Sequence, residues 1–300
     1  MSKTGGGRGT NQHQIRGTAK ATTRSDRDSA PNSPRITSGA RDWDALLREY
    51  PTYPGDFQAV PEPSWDDLAA TVADLSPRGA DRALARYQAQ ESLSLFNDAR
   101  LEGFAFTEPE IVTLMGGGHV AGHTIGEEAQ VTAMGAASKF MAARVSEGQE
   151  LEPSQSLSDD IHLFIAAPLG LKSVAFRGAQ KEQYAGPEVR LSRGARFRAL
   201  DARMTPAVLE SGLARITEID HPVLRGATWA AFATYQQFYL DGNKRTGRYV
   251  MNTVLMSHGY DAITVPERLK AQYEDALVES YETADLTPHI SFLLGQYADD

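Results

Sequence analysis

Apolar residues recur at helical spacing along most of the chain. From about Pro77 to Leu101 they alternate with polar intervals, and Gly103 follows where a helix C-terminal glycine belongs. Another helix is predicted behind Thr124, because Glu127 lies three residues later and completes a capping-box pattern. The next apolar segment repeats this design with Ser158 as the predicted cap. These patterns predict a mainly α-helical fold.

One region breaks the helical rhythm. Val189 and Leu191, then Phe197 and Leu200 after Gly194, are spaced as in two short strands around a turn. A β-hairpin is the economical interpretation. Helical spacing then returns, with interruptions at HPVLRG, LDGN, GYDAITVP and LTP. The expected fold class is therefore mainly α with one minor hairpin.

Composition narrows the class of protein. The chain has 300 residues, 41% of them hydrophobic and 23% charged, which suits one main domain. Cysteine is absent, which excludes disulfides, cysteine-ligated zinc fingers and thiol nucleophiles. No apolar run approaches the roughly 20 residues that span a bilayer, and the N-terminus lacks a secretory signal. We therefore expect a cytoplasmic protein without a membrane partner.

Charge is distributed unevenly. The net charge of -9 makes nucleic acid an unlikely general partner. Residues 1–42 nevertheless carry eight Lys and Arg against three Asp, with almost no apolar residues. Such a segment cannot bury enough surface to offset its ordering entropy, so we expect a disordered basic tail. Ordered structure is expected from near Trp43, where apolar residues fall on one helical face.

The densest group of charged residues lies in FYLDGNKRTGRYVMN, residues 238–252. Asp241-Gly242-Asn243 is a strong turn signal, and a helix is predicted from near Lys244. The start of a helix presents free N–H groups and a dipole that attract anions. Asp241 offers a hard oxygen ligand for Mg²⁺, which usually arrives with substrate phosphates.

Further polar residues follow along this helix. Arg245, Arg248 and Asn252 share one face, opposite an apolar stripe, and Gly242 and Gly247 permit close backbone approach. The spacing leaves two interpretations open. The loop either binds phosphates or is a turn followed by a solvated basic helix start.

The segment QFYLDGNKRTGR, residues 237–248, resembles the Fic/Doc (Fido) family motif His-Pro-Phe-x-Asp-Gly-Asn-Gly-Arg-x-x-Arg. The flanking stretches HPVLRGATWAAF, MNTVLMSHGYDAITVP and YETADLTPHISFL are also similar to the family. Upstream, NDARLEG followed by FTEPEIVTL resembles its inhibitory helix with a Glu-Gly ending. The resemblance implies a helical bundle with a small β-hairpin flap. It also implies an N-terminal helical region at 43–154, which carries the inhibitory helix, and a core domain at 155–300.

The resemblance also implies roles for single residues. Asp241 would bind Mg²⁺, and the site would cradle the phosphates of ATP. The implied nucleotide-binding residues are Gly242, Asn243, Lys244, Arg245, Gly247 and Arg248. The implied catalytic residues are Gln237, Arg245 and Arg248, the arginines by neutralising outer phosphates.

Regulation and target binding are implied as well. Glu102 would reach Arg248 as an internal lid, or else remain a solvated glutamate at a helix end. The hairpin, near residues 189–200, would dock the target protein segment that carries the acceptor hydroxyl. The sequence leaves the oligomeric state open, a homodimer included.

Three departures from the family pattern bear on activity and regulation. Gln237 stands where the family has its catalytic His, and an amide cannot act as a general base, so transfer should be slow. Lys244 replaces a common Gly and is shared with the Doc branch, which transfers phosphate. Asp98 occupies the Ser/Thr position of the inhibitory pattern and would repel Glu102 if both were ionised.

Three functions therefore stay open. The leading interpretation is AMP transfer from Mg-ATP to a Ser, Thr or Tyr hydroxyl of a protein. The alternatives are Doc-like protein phosphotransfer and a non-catalytic ATP-binding regulatory module.

Overall fold

The computed structural model describes residues 64–170, 174–177, 186–190 and 196–297. The predicted basic tail and the helix predicted near Trp43 lie outside these ranges. The described helices in the first half are α1 (Trp65–Val72), α2 (Ala80–Ala89), α3 (Glu91–Leu101), α4 (Glu108–Met115), α5 (Ile125–Ser146) and α6 (Gln155–Ala166). In the second half they are α7 (Thr205–Thr217), α8 (Pro222–Gln236), α9 (Asn243–Ser257), α10 (Lys270–Thr283) and α11 (Thr287–Leu294). The predicted mainly α fold is confirmed.

The predicted hairpin is also confirmed. Strands β1 (Glu188–Arg190) and β2 (Arg196–Arg198) pair antiparallel, with Val189 opposite Phe197. The Phe197 ring packs against the ring of Tyr281, with 4.5 Å between centroids. This contact fixes the hairpin on the helical core. The turn expected around Gly194 lies outside the described residues.

Helices α8 and α9 form the centre of the core. Nearly every residue of both is buried, including Trp229 in α8. They approach closely at Gly247, where an added Cβ would lie 3.1 Å from the carbonyl oxygen of Ala230. A larger residue at Gly247 would force the two helices apart. The loop of residues 237–242 joins these helices and is therefore mounted on a rigid pair.

Local capping explains where several helices begin. The predicted capping box of α5 is present, since the Thr124 hydroxyl accepts the Glu127 N–H and the Glu127 carboxylate accepts the Thr124 N–H. The predicted cap at Ser158 is wrong. Ser154 caps α6 by accepting the N–H of Leu157, so the helix begins one turn earlier and Ser158 lies buried within it.

The long helix predicted between Pro77 and Leu101 is two helices. They are divided at Gln90, whose backbone φ of -115° and ψ of 13° are not helical. Polar spacing alone does not reveal such a break, since both pieces have similar helix-forming residues. None of the described helices is both long and apolar enough to cross a membrane.

Candidate active site

The candidate site forms where α8 ends and α9 begins. Helix α8 stops at Gln236, because Gln237 adopts a left-handed conformation with φ of 52°. The helix was predicted to continue to the Asp-Gly-Asn turn and so ends earlier than expected. Gly242, also left-handed with φ of 76°, is the N-cap of α9. Since this glycine has no side chain to cap the helix, the first N–H groups of α9 stay available to a ligand.

Asn243 braces the loop from within. Its side-chain oxygen accepts the N–H of Tyr239 at 2.9 Å. Its side-chain nitrogen donates to the Tyr239 carbonyl at 2.8 Å and to the Gln237 amide oxygen at 2.9 Å. The amide of this buried residue therefore fixes loop shape, which leaves its backbone for ligand contact.

Two further residues support the loop, and neither was found from the sequence. Arg177, which is buried, donates to the carbonyl oxygens of Gln236, Gln237 and Leu200. His162 of α6 stacks on Tyr239, with 3.6 Å between ring centroids. Both come from other segments, so no local motif signals them.

A cavity of about 470 Å³ opens over the loop. This volume lies within the range of about 300–1,000 Å³ typical of small-molecule sites. Its lining comes from the loop and the start of α9, from β1, from α10 and from the end of α3. The residues are Glu102, Pro187, Glu188, Val189, Arg190, Gln237, Leu240, Asp241, Gly242, Asn243, Lys244, Glu274, Leu277, Val278 and Tyr281.

Asp241 lies at the rim of this cavity. Its side chain is 62% exposed, and one carboxylate oxygen accepts the N–H of Gly242. The same oxygen lies 3.8 Å from the Arg245 guanidinium. Among the described residues, no three His, Cys, Asp or Glu converge into a metal-binding group. An exposed carboxylate at the rim of a cavity of this size fits Mg²⁺, which takes few protein ligands when phosphates supply the others.

Arg245 and Arg248 lie behind the loop and do not line the cavity. Each side chain is only 4% exposed, so the interpretation of a solvated basic helix start is wrong. Arg248 donates from Nε to one oxygen of Asp98 at 2.9 Å and from a terminal nitrogen to the Tyr273 hydroxyl at 3.2 Å, and its other terminal nitrogen lies 2.9 Å from the same Asp98 oxygen. The charge of Arg248 is thus satisfied by protein groups rather than by water.

Glu102 lies between the arginines and the cavity. It follows the last residue of α3 and is itself followed by Gly103, whose φ of 93° turns the chain. Its two carboxylate oxygens lie 3.4 Å from Arg248 and 3.6 Å from Arg245. Burial alone would raise the pKa of Glu102, but Lys244 and the two arginines together lower it to about 2. Glu102 is therefore an anion at neutral pH.

Asp98 is the closer acidic partner of Arg248. Its contacts of 2.9 Å are shorter than the 3.4 Å of Glu102. Burial raises the pKa of Asp98, Arg248 opposes that rise, and the negative charge of Glu102 adds to it. The repulsion expected between the two carboxylates is thus present, and the arginine between them offsets it.

Gln237 is held by neighbours on every polar atom of its side chain. The amide nitrogen donates to the Thr234 carbonyl at 2.6 Å and to the Tyr281 hydroxyl at 3.0 Å, while the oxygen accepts from Asn243. The side chain is nearly buried at the cavity wall. An amide in this arrangement can orient a substrate but cannot accept its proton.

Two residues of α9 lie away from the cavity, and of these Gly247 was predicted to bind the nucleotide. Gly247 faces Ala230 of α8, so helix packing rather than nucleotide approach requires a glycine there. Asn252 exchanges hydrogen bonds with the backbone of Ile263 at 2.8 and 2.9 Å. It shares a helical face with Arg245 but lies about 10 Å further along the axis, because each residue adds about 1.5 Å.

Comparison with known proteins gives both sequence and structural relatives. No protein-family model matches the chain. Over 77 residues, 24% of the chain, it is 36% identical to the protein adenylyltransferase Fic of Drosophila grimshawi and 35% identical to that of Drosophila persimilis. The chain spans only 15% and 14% of the length of these two relatives.

The structural relatives match over more of the chain. Fic-1 from C. elegans superposes with a TM-score of 0.58 at 18% identity, covering 78% of this chain and 67% of that one. A Fic domain containing signaling protein from Bacteroides thetaiotaomicron gives 0.57 at 19% identity, covering 77% and 91%. The chain therefore has the Fic (Fido) fold, and it is similar in sequence to curated Fic proteins over about a quarter of its length.

Proposed function

We propose that this chain is a Fic-type protein adenylyltransferase, which transfers AMP from Mg-ATP to a Ser, Thr or Tyr hydroxyl of another protein. One observation carries the proposal. The uncapped start of α9, with Asp241 and Lys244 beside it, lines a cavity of about 470 Å³ next to β1. The Fic fold and the curated relatives named adenylyltransferases support it.

Each part of the loop would hold one part of the nucleotide. The first N–H groups of α9 and the Lys244 ammonium would bind phosphate oxygens, and Asp241 would bind Mg²⁺. The metal supplies charge neutralisation when bound. The target hydroxyl attacks the α-phosphorus, the bond to the bridging oxygen breaks, and pyrophosphate leaves. The hydroxyl proton passes to solvent, since Gln237 cannot accept it.

The same contacts explain why transfer would be slow. Loss of a general base typically lowers a rate by about 10²–10⁴-fold. The loose transition state of phosphoryl transfer asks little of the nucleophile, so activity would be reduced rather than abolished. In addition, Glu102 forms ion pairs with Arg245 and Arg248, the two arginines that would bind the outer phosphates. We infer autoinhibition from these ion pairs.

Two other functions have specific observations behind them. Lys244 lines the cavity and adds a cation that favours a Doc-like pose, in which the γ-phosphate is transferred. The fully bonded Gln237 amide favours a regulatory module that binds ATP and transfers nothing.

Parallel labelling distinguishes the three functions. The purified chain is incubated with Mg²⁺, a cell lysate and ATP labelled at either the α- or the γ-phosphate, and its own AMP and phosphate adducts are sought by mass spectrometry. The Asp241→Ala variant is the matched control. Protein labelled only from α-ATP supports AMP transfer, and label only from γ-ATP supports phosphotransfer. Tight ATP binding with neither label supports the regulatory module.

A further inference from the structure

The outward face of the hairpin is rich in arginine. Val189 and Phe197 are half-buried on the inner side, so alternate strand positions point outward. The outward positions are Glu188, Arg190, Arg196 and Arg198, all of them exposed. Three cations thus face one anion here, although the chain as a whole has a net charge of -9.

The strand register leaves one of these arginines without a carboxylate. Arg190 is paired directly with Arg196 across the hairpin. The Glu188 carboxylate instead pairs with the two arginines of β2, and its oxygens lie 2.9 Å from the Arg196 guanidinium and 3.8 Å from that of Arg198. Within the described ranges, no carboxylate lies within 4 Å of Arg190. Like charges directly opposite each other destabilise a strand pair. The stability of the hairpin therefore does not explain why residue 190 is an arginine.

Arg190 lies on the strand edge that faces the cavity. Strand β1 pairs with β2 on one side and, in the part of the chain that the structure describes, with no strand on the other. Residues 187–190 line the cavity, and no residue of β2 does. A strand added to the free edge of β1 would therefore run beside the cavity that contains Asp241.

We propose that this edge selects acidic target segments, with an Asp or Glu placed opposite Arg190. This inference rests on the proposed function and names the class of protein segment that would be modified. In an added strand, the residue opposite Arg190 lies on the same outward face, with Cβ atoms about 5 Å apart. A carboxylate there forms the ion pair that Arg190 lacks. The residue opposite Glu188, two positions away, is neutral or basic.

Two other anions could meet a basic face. ATP phosphates already have Lys244 and the start of α9, which belong to a different element of the cavity lining from β1. A nucleic-acid strand would meet the repulsion of a chain with net charge -9. Both are included as outcomes of the test.

Peptide binding to the full chain tests the selection without requiring catalysis. Three fluorescent peptides of equal length carry one Thr acceptor flanked by Glu, by Gln or by Lys, and their affinities are measured by anisotropy. The variant is Arg190→Glu. The control is Arg144→Glu, which makes the same charge change at the exposed end of α5, where Arg144 pairs with Glu147.

We expect the Glu-flanked peptide to bind about two- to fivefold tighter than the Gln-flanked peptide at low salt, with the difference shrinking at high salt. Arg190→Glu should reverse the preference toward the Lys-flanked peptide, and Arg144→Glu should leave it unchanged. Equal affinities, or a preference that survives Arg190→Glu, would overturn the proposal. So would an oligothymidine bound as tightly as the Glu-flanked peptide, or an ATP affinity that only Arg190→Glu weakens.

Transfer to the same peptides separates this inference from the proposed function. Equal AMP transfer from α-labelled ATP to all three peptides would refute acidic selection and leave adenylyl transfer intact. Selective binding with no transfer to any peptide would refute adenylyl transfer and leave the acidic docking edge intact.

Discussion

Replacing Glu102 by glutamine removes the carboxylate that neutralises two buried arginines, at nearly unchanged size. The fall in its pKa from an ordinary 4.5 to about 2 corresponds to about 3 kcal/mol of stabilisation at neutral pH. Breaking a buried ion pair typically costs about 3–5 kcal/mol, and Asp98 still compensates Arg248 in the variant. Both arguments predict that Glu102→Gln lowers the free energy of unfolding by about 3 kcal/mol.

The assay is thermal unfolding with and without Mg-ATP. For a domain of this size, about 3 kcal/mol lowers Tm by roughly 6–10 °C in the absence of nucleotide. The guanidinium nitrogens that Glu102 contacts should become available to the outer phosphates, so ATP affinity should rise about tenfold. ATP should therefore raise the Tm of the variant more than that of the wild type. The control is Glu147→Gln, which breaks the exposed pair with Arg144 and should change stability by less than about 1 kcal/mol.

The same variant gives a pH dependence of known sign. Because the pKa of Glu102 is lowered in the folded state, its stabilisation is fully present above its unfolded pKa of about 4.5 and is lost as the pH falls toward about 2. The Tm difference between wild type and Glu102→Gln should be constant from about pH 6 to 8 and shrink below about pH 4.5. An unchanged Tm together with an unchanged ATP affinity would refute the reasoning.

Three further substitutions test the rest of the site. Asp241→Ala should abolish Mg-dependent ATP binding in calorimetry with little change in Tm, because the side chain is exposed; unchanged affinity would show that the metal lies elsewhere. Arg248→Ala should weaken ATP more than AMP, and equal losses would place its contact away from the outer phosphates. Gln237→His, made on a Glu102→Gly background, should speed AMP transfer by about 10²–10⁴-fold with a rate rising through a pKa near 6.5. A rate no higher than that of Glu102→Gly alone would mean that the base was not limiting.

Local sequence signals predicted the local features of the fold well. The capping box at Thr124 and the turn at Gly242 depend on residues within one helical turn, so their patterns suffice. Errors arose where two residues compete for one role. Ser154 and Ser158 are equally good caps in sequence, and only the packing of Ser158 against Tyr239 decides between them. Likewise, no residue type forces Gln237 into a left-handed conformation.

The site was predicted only in part, for a physical reason. Glu102 and Arg248 are 146 residues apart in the sequence, so their contact could be expected from the family resemblance but not from residue spacing. The shorter contact of Asp98 with the same arginine was not predicted, because exposed and buried acids look alike in sequence. Arg177, which ties three carbonyl oxygens around the loop, has no neighbouring motif at all.

The close packing at Gly247 has a kinetic consequence. Since α8 and α9 interlock there, the loop of residues 237–242 and both arginines belong to one stiff unit that exists before any nucleotide arrives. Helix α3 brings Glu102 to the arginines from outside that unit. ATP binding should then be gated by departure of the α3 terminus. Its observed rate should level off at high ATP concentration, at a plateau set by that departure.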